Sequence, residues 1–414
     1  MDHSRFITYQ LDLGCCLTGP QIIQEVVKAR ESALIYGCRT LDFAALEEFV
    51  VYLKVLKDSF TWEPLTRDLD ATLAFDNLYM IFLIRINVVD EEPNLADVLT
   101  AASGFLCTDP RDHVIGILGL LDKKDHTIEP DYTVSSSTLF RRATQSDISN
   151  RNSLELLSAV TNLISPADQN LPSWVPDFSR RIPSTQTSLP AFFNATRDAG
   201  VSAVFADDGM TLALSGKIFD KVSVLGMTMP GSAEGLDHSN NVLATNYTKE
   251  DWSAWLLDCE KVASERALDM SVSRFEEYAR TLCWDISPNS DRIGPEFPSI
   301  YREYFEFLED TKEGPLSDSQ IDRFRAVRDI EANATIRSCN RRFCRSAANR
   351  LGYVPPSTKP GDKICVFYGG SVPYVIRPCA EGHYRFIGDC YLHGVMDGEV
   401  TDMDSLGTET IALK

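Results

Sequence analysis

Apolar and polar residues alternate most sharply between positions 361 and 394. Lys363-Ile364-Cys365-Val366-Phe367-Tyr368 follows a period of two, opened by Gly361-Asp362, and predicts a strand. Ile364, Val366 and Tyr368 fall on one face, with Cys365 and Phe367 opposite. Gly369-Gly370 reads as a tight turn, Val372–Ile376 as the partner strand, and Tyr384–Leu392 as a third strand ended by His393-Gly394. Glycine turns between short β-rich runs predict an antiparallel meander. Pro373 within a strand marks an edge or a bulge. Leu212–Val222 has the same character and is expected to join that sheet, closing an antiparallel sheet or small barrel.

Elsewhere the period is helical. Thr18-Gly19-Pro20-Gln21 resembles a capping box ahead of a helix over 21–30, whose stripe is Ile22, Ile23, Val26 and Val27. Gln24, Glu25 and Lys28 face away from that stripe. Ala33–Tyr36 with Gly37 predicts a short strand and turn, and 41–57 a second helix through Phe43, Leu46, Phe49, Val50 and Leu53. Residues 1–17 carry no clear pattern. Asp109 followed by Pro110 predicts a capped helix running to about Leu121, with Arg111 paired to a carboxylate. Further helices are expected over 137–148 and 153–161. Ser179–Ser188 is rich in Ser, Thr and Pro and reads as a linker. Residues 248–330 read as a helical insertion, with Trp252, Trp255, Leu256, Val262 and Leu268 at helical spacings. The fold class is α+β: a mainly helical region over 59–180, a linker over 181–195, and a β-rich domain over 196–414.

Composition narrows the function. The 414 residues carry a formal charge of −20, which disfavours nucleic acid or an anionic membrane as partner. Arg337, Arg341, Arg342, Arg345 and Arg350 form a local basic run that reads as a solvated helix face. The eleven cysteines show no C-x-x-C spacing, so zinc is not expected. No secretory pattern opens the chain, and the apolar run at 78–86 is too short to span a bilayer and contains Arg85. Free thiols in a reducing, cytoplasmic setting follow. Asp109, Arg111 and Asp112 read as a helix cap with an Arg–Asp pair rather than an acid–base set. Cys390 and His393 are three apart in a strand-like run and point to opposite faces. His393, Asp397 and Glu399 fit no standard metal spacing, and Gly369-Gly370 lacks the Lys and Ser/Thr of a phosphate loop. No cofactor is expected.

The run Gly361-Asp362-x-Ile364-Cys365-Val366, Gly369-Gly370-x-x-Pro373-Tyr374-Val375-Ile376-Arg377-Pro378 and Tyr384-x-Phe386-Ile387-Gly388-Asp389-Cys390-Tyr391 resembles the C-terminal signature of fungal heterokaryon-incompatibility (HET) domain proteins. Asp109-Pro110-Arg111-Asp112, Gly119-Leu120, Pro130-Asp131-Tyr132 and Pro172-Ser173-Trp174-Val175-Pro176-Asp177 recur in that order in the same family. Gln24-Glu25, Ala29-Arg30 and Gly37 match the end of the HET domain itself. Where the family has Arg and Trp before Gln-Glu, this chain has Gly19 and Gln21. The resemblance makes residues 1–58 a remnant of the C-terminal end of a HET domain. It implies self/non-self recognition and programmed cell death through protein–protein contacts with an incompatibility factor. The alternatives are an NAD-consuming effector similar to TIR domains, or a degenerate paralogue without activity. In the TIR-like case Glu25 is the catalytic carboxylate, stabilising a ribosyl cation as nicotinamide leaves. A solvent-facing glutamate one turn from Lys28 is the plainer reading of Glu25.

Overall fold

The computed structural model describes residues 7–10, 21–29, 32–36, 39–59, 77–85, 93–124, 126–160, 170–180, 182, 189–197, 199–229, 249–264, 266–287, 291–309, 324–325, 327, 338–403 and 406–414. They form two compact units, Met1–Arg151 with Val175–Ser184, and Asn152–Trp174 with Thr185–Lys414.

The first unit opens with strand β1 (Ile7–Gln10), helix α1 (Gln21–Lys28) and strand β2 (Ser32–Tyr36). β1 and β2 are parallel, from Ile7↔Ser32 to Gln10↔Ile35. β3 (Arg39–Asp42) then runs antiparallel to β2. This corrects the reading of residues 1–17 as patternless. A four-residue strand is too short to display a period, and its parallel partner lies one helix away in sequence. α2 (Phe43–Ser59) follows at once, with Asp42 Oδ1 accepting from the Ala44 amide at 3.0 Å. A helix over 77–85, here α3, carries Phe82, which meets Phe43 edge-on with centroids 5.2 Å apart. α4 (Leu95–Ala102) is capped by Asn94, whose Oδ1 accepts from the Asp97 amide at 2.9 Å. The helix expected from Asp109 to Leu121 is broken. α5 covers only Asp112–Ile115, and a 3₁₀ turn covers Leu118–Leu120. α6 (Ser136–Arg151) completes the unit, and its Phe140 packs edge-on against Phe178 at 5.4 Å.

The second unit is built around one long strand. After β4 (Ala203–Ala206), β5 runs from Thr211 to Thr228. Then come the helices α7 (Lys249–Ala263), α8 (Val272–Leu282) and α9 (Phe297–Glu309). The remaining strands are β6 (Arg342–Ser346), β7 (Leu351–Val354), β8 (Lys363–Phe367), β9 (Tyr374–Pro378), β10 (Tyr384–Asp389), β11 (Tyr391–Leu392) and β12 (Glu409–Leu413). β5, β8, β9, β10 and β12 pair in a closed ring. The expected barrel is therefore present, and the α+β class with it. It is mixed rather than wholly antiparallel, because β12 lies parallel to β10.

β5 serves two sheets because it bulges. Register shifts at Ile218/Asp220 and Val222/Val224 twist the strand, so its second half leaves the ring and pairs with β6. β6, β7 and β11 continue that second sheet. Cys390 breaks the third predicted strand in two: β10 stays in the ring and β11 joins β7.

Both faces of the second sheet are covered. Cys344 and Val354 join Val222, Ile364, Val366, Val375 and Ile387 in one buried apolar cluster. On the opposite face Tyr353 stacks with Trp255 of α7 at 6.3 Å, and Phe343 meets Tyr278 of α8 at 6.0 Å. The helical insertion thus supplies the second apolar layer that a two-faced sheet requires. Residues 364–367 are all fully buried, so their strict alternation does not mark an inside and an outside.

Candidate functional site

Charged side chains that carry the sequence signature converge at three places. Glu25 is at none of them. It lies exposed on α1, whose buried face is Ile23, Val26 and Val27. Its neighbour Gln24 is the anchored residue, donating from Nε2 to the Gly116 carbonyl at 2.5 Å. A Cβ on Gly119 would come within 2.5 Å of the Gln24 amide oxygen, so glycine there makes room for that anchor.

The first place joins the Asp-Pro-Arg-Asp and Pro-Asp-Tyr segments. Asp109 Oδ1 accepts from the Arg111 amide at 3.0 Å and from Arg111 Nε at 2.9 Å. Arg111 Nη2 reaches Asp109 Oδ2 at 2.6 Å, while Nη1 donates to the carbonyls of Tyr132 and Val134. The guanidinium lies 5.3 Å from the centre of the Tyr132 ring, and Tyr132 donates its hydroxyl proton to Asp112 Oδ1. That bond to Asp112, with burial second, pushes the Tyr132 hydroxyl up to about 12. Burial and then the charge of Asp112 push the nearby Cys107 thiol up to about 11, the reverse of an activated nucleophile. Burial holds His113 below its ordinary value, and its Nδ1 faces the Ala102 carbonyl at 3.3 Å. The cluster is a clamp between two turns. Asp109→Ala should lower the urea midpoint of this unit, and Asp109→Asn should keep part of it by preserving the backbone cap. An unchanged midpoint for Asp109→Ala would count against the clamp.

The second place is the start of β8. Asp362 is buried and takes a two-pronged bond from Arg377, Nε to Oδ1 and Nη2 to Oδ2, both at 2.8 Å. Its Oδ2 also accepts from the Lys359 amide at 2.7 Å, and Arg377 Nη2 donates to the Ser357 carbonyl. The pair pins the loop before β8 to β9.

The third is the most buried. Arg341 and Asp389 are 2% and 3% exposed, and Arg341 Nη2 meets Asp389 Oδ1 at 2.6 Å. Nη1 donates to the Asp389 carbonyl at 3.1 Å. Trp284 lies under the guanidinium at 5.3 Å and stacks on Tyr391. Burial raises the Asp389 carboxyl above its ordinary value, and Arg341 and the Ser158 hydroxyl oppose that rise. The reading of Arg341 on a solvated helix face is corrected here. Arg341 precedes strand β6, and its charge is needed inside. A run of arginines carries the same signal in either setting, and only its partner 48 residues on separates the two.

Cys390 sits in the buried cluster while His393 faces the Tyr391 hydroxyl at 3.2 Å, so the two do not meet as nucleophile and base. Asp397 pairs with Arg292 at 2.5 Å, and Glu399 Oε2 accepts from the Asp397 amide. Among the described residues no group of three His, Cys, Asp or Glu side chains could hold a metal ion. The described cysteines form no disulfide. Burial holds His393 below its ordinary value, as it does His113, while burial pushes Cys344 up to about 12. The signs set a stability window. The depressed histidines lose stability as pH falls below the unfolded value near 6.5, and the raised thiols lose it as pH rises past 9.0. Denaturation midpoints should be flat between those limits and fall above pH 9, while below 6.5 the histidine loss is opposed by the raised Asp389 carboxyl. A midpoint that stays level past pH 9 would contradict the thiol assignment.

Residues 321–407 match the model of the Het-6 beta-barrel domain. The ring also needs β5 and β12, which lie outside that stretch. The chain is 25% identical over 360 residues to heterokaryon incompatibility protein 6, OR allele, of Neurospora crassa, an alignment covering 74% of this chain and 51% of the relative. The chain thus spans about half the length of the curated relative it matches. No solved structure matches. The second unit thus carries a match to the Het-6 beta-barrel domain, and the similarity to the Neurospora heterokaryon-incompatibility protein extends well beyond it.

Proposed function

We propose that this chain acts in fungal self/non-self recognition, where an encounter with a non-matching incompatibility factor leads to programmed cell death. It does so through protein–protein contacts and in the cytoplasm. One observation carries the reading: the polar residues that define the family signature here are tied to one another in ion pairs. Asp362 with Arg377, Asp389 with Arg341, and Asp109 with Arg111 hold turns and strands in place. Residues committed to holding a framework leave recognition to the surface. No helix among the described residues is long and apolar enough to cross a membrane. The name of the Neurospora relative supports an incompatibility role. The test is hyphal fusion between strains expressing this chain and strains of differing compatibility type. Death confined to particular pairings supports the proposal, and indifference in every pairing opposes it.

A second reading has one observation of its own. β1, α1 and β2 form a parallel strand–helix–strand unit with Glu25 exposed on its helix. That is more sheet ahead of Glu25 than its sequence announces, and the NAD-consuming alternative needs such a sheet to build a pocket. Purified protein incubated with NAD discriminates. Nicotinamide release that disappears in Glu25→Ala would establish an enzyme. Release indistinguishable from buffer is expected.

A further inference from the structure

Helix α2 is apolar on more than one side. Phe43 and Val50 are buried, and Phe43 packs edge-on against Phe82 of α3. Ala45, Phe49 and Tyr52, spaced i, i+4 and i+7, fall on one line along another side of the helix. Phe49 is 55% exposed and Tyr52 61%, with Val51 next to them at 38% and Leu41, just ahead of the helix, at 42%. A surface helix turns its polar residues outward, and a helix that is apolar all round belongs in a place where it is covered all round. A cluster of exposed large apolar side chains on one element marks a contact surface. Ala44 and Ala45 are exposed as well, and such small side chains let a second helix come close.

The charged residues among these positions decide what covers them. Asp42 and Glu48 are exposed and both are acidic, and residues 40–53 contain no lysine or arginine. Arg85 lies over the Phe43 ring, on the packed side. A second copy of this chain would bring Glu48 toward Glu48 across a twofold axis, between molecules that each carry a formal charge of −20. A helix with lysine or arginine flanking an apolar stripe meets the aromatic rings and the carboxylates together. We propose that α2 is a docking face for a cationic amphipathic helix of another protein. That helix lays its apolar stripe along Ala45, Phe49 and Tyr52 and its cations beside Asp42 and Glu48. Phe49 and Tyr52 are the anchors, as large aromatic side chains are at most such contacts. This docking face rests on the reading of the chain as one that acts through protein–protein contacts.

The experiment titrates the full chain against fluorescein-labelled synthetic helices of about 18 residues, followed by anisotropy. The first probe carries leucine at its a and d positions and lysine at e and g. The second has glutamate in place of lysine, and the third keeps the lysine composition with its leucines scattered. The first should bind, and the other two should bind about tenfold or more weakly. Phe49→Lys and Tyr52→Lys should each weaken the first probe about tenfold or more with the melting midpoint unchanged. Val204→Lys, at an exposed apolar position on β4, should leave its binding as it was. Equal binding of the scattered peptide, or full binding to Phe49→Lys, would overturn the proposal. So would a dimer in sedimentation that disperses in Phe49→Lys, which assigns the face to a second copy. Binding to neutral phosphatidylcholine vesicles that Phe49→Lys abolishes would overturn it in favour of a membrane. None of these measurements scores hyphal fusion, so a failed docking face leaves the recognition role standing.

Discussion

Arg341→Met should destabilise the barrel unit by about 3–5 kcal/mol, the usual consequence of stranding one partner of a buried ion pair. Asp389 would then stay in a site where burial already disfavours its charge, with Arg341 gone from both its Oδ1 and its carbonyl. The loss has a second component, since the guanidinium also lies over Trp284. Adding Asp389→Leu removes the stranded charge and should recover more than half of the deficit. Denaturant unfolding followed by tryptophan emission measures both variants. Additive losses in the double variant would mean the two residues do not act as a pair.

Gly216→Ala should be nearly as severe, for a different reason. Gly216 pairs with Phe367 of β8 and with Glu409 of β12, so it sits where the ring closes on β5. A Cβ there would stand 2.2 Å from the Val366 carbonyl oxygen and 3.2 Å from the Phe367 Cα. Both obstacles are backbone, and backbone in a closed ring does not step aside without opening the pairing. A loss of about 3 kcal/mol or more is expected. Gly361→Ala is the control. Nothing lies within 4 Å of its Cβ position, and only its φ of +93° resists. That strain should cost about 1–2 kcal/mol. Equal losses at the two positions would show that the ring accommodates a methyl group.

The barrel was legible because its strands are bounded by glycine turns and rich in β-branched residues, and because Leu212–Val222 carries the same period. Its closure was not. β12 is five residues at the end of the chain and pairs parallel to β10, a register that no local pattern encodes. Nor was the extent of β5 legible. Bulges hide the continuation of a strand, since each one shifts the alternation by one residue. The opening β1–α1–β2 unit was half visible, with α1 and β2 read from their periods and β1 missed. The clamp at Asp109 and Arg111 was readable from capping chemistry, although its helix stops at Ile115. Arg341 and Asp389 could not be matched in advance, because neither residue announces burial and the signature that contains Asp389 assigns it no role. Glu25 had the opposite fate. It was singled out by resemblance, and it lies exposed beside an anchored Gln24.

Those two residues define the most direct test of function through framework and surface rather than through a reactive carboxylate. Hyphal fusion should be scored for strains expressing the native chain, Glu25→Ala and Arg341→Met, with protein levels measured in parallel. On the proposed function, Glu25→Ala should score as the native chain does in every pairing, and Arg341→Met should lose both its folded protein and any pairing-specific death. A Glu25→Ala chain that accumulates normally yet no longer provokes death would contradict that expectation and point to chemistry on α1.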